Sequence, residues 1–125
     1  MAEDDMTGAG PSVERGKLAV TATASGDVRV LSVAGEIDHQ TGRALRNALD
    51  PAGAPRPRTV VDLRHVTFMD SSGLNILLHA HRSHTTAGGW LRLAAVQPAV
   101  LRTLQLVGVD TVIDIRETVE EALSD

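Results

Sequence analysis

The run Thr59-Val60-Val61-Asp62-Leu63 constrains the fold more than any other segment of the chain. It is short and β-branched, and its apolar residues sit side by side instead of alternating. A strand with one wet face alternates, so a compact run of this kind is expected to be covered on both faces, as in a parallel sheet packed between helices. Its flanks agree. Upstream, Pro51, Pro55 and Pro57 with Gly53 between them stop any helix and make a surface loop. Downstream, DSSGLNILLHAHRSHTTAGG puts Leu74, Leu77 and Leu78 on one helical stripe widened by Ile76 and Ala80. Asn75, His79, Arg82 and Thr86 fall on the opposite face, and Gly88 with Gly89 supplies the stop.

The remaining segments complete an alternating order. KLAVTAT and VRVLSVAG, on either side of Ser25-Gly26-Asp27, predict an antiparallel hairpin that begins at Lys17. In GEIDHQTGRALRNALD, Ala44, Leu45, Ala48 and Leu49 recur at one-turn spacing, which predicts a short amphipathic helix capped by Asp38. WLRLAAV reads as a strand. Gln97-Pro98 then opens a helix with Leu101, Leu104 and Val107 facing inward, which Gly108 ends. A TVIDI strand and an acidic TVEEAL helical turn close the chain. The order β-β-α-β-α-β-α-β-α predicts an α/β domain over residues 17–125: a mostly parallel central sheet of about four to five strands, opened by a hairpin and packed with helices. Residues 1–16 mix Gly, Ala, Pro and acids without periodicity, which predicts a flexible tail.

Composition narrows the chemistry. A length of 125 residues suits one domain. Phe68 and Trp90 are the only aromatics, too few for a stacking platform on single-stranded nucleic acid or sugar. Lys17 is the only lysine and the net charge is −4, so a phosphate backbone is not an expected partner. With no cysteine there is no disulfide, thiolate metal site or thiol nucleophile. No apolar run approaches the ~20 residues that span a bilayer, so no membrane partner and a cytoplasmic location are expected.

In α/β folds function gathers where strands hand over to helices, which here marks Asp38, Asp70, Ser71 and Ser72. Asp-Ser-Ser-Gly is, at the least, a good helix N-terminus. Enzyme signatures fail against it. The residue two before either serine is Met69 or Asp70, so the G-x-S-x-G elbow is missing. A phosphate-cradling loop needs a lysine that the chain does not place there. A receiver domain phosphorylated on Asp62 would need a later lysine, and none follows. His81 and His84 share a helical face, but His79 lies about 200° from His81 and no carboxylate completes a metal set. His81, continuing the leucine stripe, is expected to be half-buried and the other histidines solvated, with His39 and His65 in loops. A small hydrolase built from Ser71 or Ser72, a histidine and Asp38 has no nameable base or oxyanion hole, and labelling by a serine-reactive phosphonate would reveal one.

Taken together, GEIDHQT, VVDLRHVTFMDSSGL, the Gly-Gly strand WLRLAAV and QPAVLRTLQLVGVDTVI resemble the bacterial anti-sigma factor antagonists. These belong to the sulfate-transporter and anti-sigma-antagonist (STAS) domain family. The resemblance covers about residues 17–123, and FMDSSGL is its most specific part. It implies a non-enzymatic switch without cofactor or metal. The unphosphorylated form would bind an anti-sigma factor that is an ATP-dependent serine kinase, and so release a sigma factor; phosphorylation would end binding, and a serine phosphatase would restore it. Carried over residue by residue, the resemblance implies Ser71 as the phosphorylated serine, with Asp38, Asp70, Ser72, Gly73, Leu74 and Asn75 as the partner-binding positions. Asn75 departs from the glycine of several members, which puts the choice of partner in question. The alternative within the same family is a non-switching scaffold of a stress-signalling complex.

Overall fold

The computed structural model of the protein describes residues 18–124. The tail expected over residues 1–16, and Lys17 as the first residue of the hairpin, lie outside the described residues. Five strands form one sheet in the order β1 (Leu18–Ser25), β2 (Val28–Ile37), β3 (Arg58–Met69), β4 (Trp90–Ala94) and β5 (Asp114–Arg116). β1 and β2 pair antiparallel, and every later neighbour is parallel. The helices are α1 (Gly42–Leu49), α2 (Ser71–Thr86), α3 (Pro98–Leu106) and α4 (Val119–Leu123), with a 3-10 turn at Val109–Thr111. The α/β reading and the opening hairpin therefore hold.

β3 is the central strand, and Val60 and Val61 are both fully buried, one on each face. Leu31, Val33, Val61, Leu63, Leu91 and Leu93 meet Leu45, Leu49, Leu77 and Leu104 of α1, α2 and α3 in the main core. The alternate positions Val30, Val60 and Ala94 meet Ala122 of α4 in a smaller one. Arg92 clamps that last helix: its guanidinium lies 3.8 Å from the Trp90 ring centroid and donates to the carbonyls of Ala122 and Ser124, each at 2.9 Å.

Several expectations change. β3 continues through Arg64-His65-Val66-Thr67-Phe68-Met69, so Asp62 is mid-strand and His65 is an exposed strand residue, not a loop one. On α1 the inward residues are Leu45 and Leu49, while Ala44 is exposed. On α3 the buried pair is Val100 and Leu104; Leu101 is half-buried, and Val107, expected inside, is 57% exposed. Val100 and Leu104, four residues apart, share the face that meets the sheet, whereas Val107 follows the last helical residue, Leu106, as the C-cap and so leaves that stripe. The last strand is not TVIDI but Asp114–Arg116, because Gly108 in the left-handed region (φ 80°) starts the 3-10 turn that uses up Val109–Thr111.

His84 is the largest departure. Expected in solvent, it is fully buried between α2 and the start of β3. Its Nδ1 lies 2.7 Å from the Ala80 carbonyl and must donate, so its Nε2 accepts from the Thr59 hydroxyl at 2.8 Å. Burial, the leading cause, with the charges of Arg29 and His81, holds its pKa below the ordinary histidine value, against the opposing Ala80 bond. His81 is half-buried as expected, and its Nδ1 is buried without a hydrogen-bond partner among the described residues.

Candidate functional site

β2 and β3 run parallel and end together, with Ile37 beside Met69 in register. The next residues are Asp38 and Asp70, so residues 32 apart in sequence stand side by side at one sheet edge. The Asp70 N–H donates to the Ile37 carbonyl at 3.1 Å and ties the two exits together.

Each aspartate then turns its chain into a helix, by different means. Asp70 is the N-cap of α2: its carboxylate accepts from the N–H groups of Ser72 at 2.8 Å and Gly73 at 3.3 Å. Asp38 is not the cap of α1, which begins one turn later, with Thr41 in the cap position. Its carboxylate instead accepts from the N–H groups of Gln40 at 2.9 Å and Thr41 at 3.0 Å and closes the loop that leads to the helix. The nearly buried Thr41 hydroxyl donates to the Glu36 carbonyl at 2.7 Å and accepts from the Asp38 N–H at 2.9 Å. These bonds, led by the Thr41 N–H, hold the Asp38 carboxyl below the usual carboxylate range, with desolvation opposing and the His39 charge assisting. Each carboxylate is anchored through its Oδ1 on two backbone donors.

Ser71 is the first residue of α2 and is exposed; Ser72 is half-buried and Asn75 exposed. Gly73 and Leu74 are buried, so their part in the site is to seat the turn. A Cβ on Gly73 would lie 2.6 Å from Met69 Cγ and 2.7 Å from Ile37 Cγ2, so only glycine lets the helix rest on both strand ends. Gly42 lets α1 approach α2, where a Cβ would meet the movable tip of the Ile76 side chain, Cδ1, at 2.8 Å. The edge therefore presents a hydroxyl on a rigid support. Phe68, 48% exposed and two residues before Asp70, adds an apolar flank.

Sequence reasoning missed Thr41, Phe68, Arg43 and Arg46 as residues of this edge, the two arginines lining a cavity with Ser72 and Asn75. The first had a local signal, a hydroxyl three residues after an aspartate ahead of a helix. The other three are placed only by strand register and by the packing of α1 on α2. Among the described residues no three His, Asp or Glu side chains gather as a metal site, and no helix is long and apolar enough to cross a membrane.

A STAS domain family model matches residues 19–122. The anti-sigma F factor antagonist of Paenibacillus polymyxa is 31% identical over 100 residues, which cover 78% of this chain and 86% of that one. The crystal structure of an anti-sigma factor antagonist from Mycobacterium paratuberculosis is similar with a TM-score of 0.77 at 32% identity, covering 85% of this chain and 91% of that one. SpoIIAA, an anti-sigma factor antagonist solved in its unphosphorylated form, gives 0.70 at 26% identity, covering 84% and 93%. The phosphorylated form of SpoIIAA, a Bacillus cell fate determinant, gives 0.65 at 25%, covering 84% and 96%. With a mixed five-strand sheet like that of these neighbours and a family match over nearly all the described residues, the chain belongs to the STAS domain family.

Proposed function

We propose that the protein is an anti-sigma factor antagonist switched by phosphorylation of Ser71. The unphosphorylated form binds an anti-sigma factor that is itself an ATP-dependent serine kinase, and in doing so frees a sigma factor in the cytoplasm. Asp38, Asp70, Ser72 and Asn75 form the contact surface around Ser71, with Gly73 and Leu74 holding its base. A serine phosphatase resets the switch.

The observation that carries this reading is an exposed hydroxyl at the first position of a helix whose cap is already complete. A kinase reaches it without unfolding anything. A phosphate there adds about −1.5 to −2 charges at pH 7. The helix dipole and the first-turn N–H groups tolerate that charge, so the fold survives modification. The surface does not stay the same, because a partner fitted to a neutral hydroxyl meets a bulky anion beside two carboxylates. Binding ends through lost complementarity and not through a rearrangement. The relation to SpoIIAA, known in unphosphorylated and phosphorylated forms, supports a switch over a fixed scaffold.

The test is incubation of Ser71→Ala with the cognate kinase and ATP, read by intact mass. No phosphate is expected on the variant while the parent chain gains one. Undiminished incorporation overturns the assignment.

A further inference from the structure

The groove between α1 and α2 opens beside the Asp70-Ser71-Ser72 turn. Its mouth is a cavity of about 290 Å³ bordered by His39, Arg43 and Arg46 on one side and Ser72, Asn75 and Ile76 on the other. Through Arg46 and Ile76 it continues into a second cavity, past His79 and Ser83 to Asp50 at the far end. Among the described residues Asp50 is the only acidic one that lines it. Arg43 and Arg46 are exposed and make no ion pair among the described residues. The floor is apolar, formed by the buried Ile76 and Ala80.

On a chain of net charge −4, the charge that lines the groove mouth is thus cationic. Asp38 and Asp70 keep their charge but direct it onto backbone N–H groups at the strand ends and do not line the cavity. The mouth is at the small end of the volumes that hold a whole ligand, and it is open along one side, so it suits side chains of a larger molecule.

We infer that this groove docks an acidic segment of the protein partner, with Arg43 and Arg46 as its specificity-determining residues. The inference rests on the reading that the chain binds an anti-sigma factor at the Ser71 edge, and it names the chemistry of that factor's contacting segment. Guanidinium forks take Asp and Glu carboxylates through paired hydrogen bonds, while the apolar floor takes the intervening side chains. The same arrangement sharpens the switch. A phosphate on Ser71, the residue next to Ser72 of the mouth, repels the incoming carboxylates and lowers the positive potential that draws them in.

The test is titration of the unphosphorylated protein against its purified anti-sigma factor kinase at low and high salt, using the full chain, Arg43→Glu/Arg46→Glu and Arg43→Lys/Arg46→Lys. Charge reversal is expected to weaken binding about tenfold or more at low salt, chiefly by slowing association, and to remove most of the salt dependence. The lysine pair is expected to keep most of the salt dependence, since the charge stays. Thermal melts report whether each variant is folded. Wild-type affinity and salt dependence in the reversed variant overturn the inference alone. So does weaker binding with an unchanged salt dependence, which would mark a merely structural role. Failure of the full chain itself to bind overturns the proposed function as well.

Discussion

Asp70 performs two tasks with one side chain. It caps α2 through the N–H groups of Ser72 and Gly73, and it thereby fixes the direction in which Ser71 leaves the sheet edge. Replacing it by alanine strands those donors, so Asp70→Ala is expected to lose about 1 kcal/mol of stability, whereas Asp70→Asn, which can still accept, is expected to stay within a few tenths. Urea midpoints of the two variants check this, and equal losses would deny the cap. The cap was legible in the sequence because both of its bonds span two or three residues. The bonds of His84 were not, because the hydroxyl it needs, Thr59, is 25 positions away and reaches it only when α2 lies against β3. A histidine three residues after His81 and four after Ala80 looks like any other member of a helix face until the opposing strand is known.

Among the elements, α2 shows how start and stop signals act differently. It ends in a Schellman motif: Gly88, with φ 83°, donates to the Thr85 carbonyl, and Gly89 donates to that of His84. Gly89 has a second duty that no local rule reveals, since a Cβ there would lie 1.8 Å from the Pro57 carbonyl oxygen, where the Pro-rich loop enters β3. The obstacle is backbone and cannot swing aside. Gly89→Ala is therefore expected to destabilise by about 3 kcal/mol through overpacking. Gly26→Ala, in the hairpin turn at φ 60° with no atom within 4 Å, is expected to lose only about 1 kcal/mol from its backbone conformation. Chemical denaturation of the two variants side by side measures the difference, and similar losses would show that Gly89 is not held by Pro57. The same distinction explains the helices: the stripe of α2 gives its inward face, whereas the nine residues of α3 hold too few apolar positions to fix a phase without the sheet beneath.

For the whole molecule, His84 and Asp38, whose lowered pKa values bear on the acid side, act in separate pH windows. His84 is neutral when folded, and below its ordinary value of about 6.5 the unfolded chain takes up a proton that the folded chain refuses. Its contribution is full above that pH and is lost as pH falls below it, at up to ~1.4 kcal/mol per pH unit until the folded form protonates too. Asp38 acts lower, since its hydrogen-bonded carboxylate supports the fold above its ordinary value of 3.8 and stops doing so as pH falls through its lowered folded value. Unfolding free energy measured from neutral to mildly acidic pH is expected to decline from about 6.5 downward, and His84→Gln is expected to flatten that first limb. An unchanged limb in the variant would remove His84 from the account.

The sequence by itself determined the class of fold, the central strand, the hairpin, and Asp70-Ser71-Ser72-Gly73 as the start of the longest helix. All of these rest on periodicity, turn chemistry and caps, interactions that reach no further than one or two turns of chain. Only the packed molecule decided that Asp38 and Asp70 follow the ends of neighbouring strands, that Gly73 must be bare to clear Ile37 and Met69, that His84 is inside, and that two arginines of α1 line a cavity with Ser72 and Asn75. These depend on which residues distant in sequence are brought within van der Waals or hydrogen-bonding range. That is set by strand register and by the phase of each helix against the sheet, and neither is encoded in any short stretch of residues.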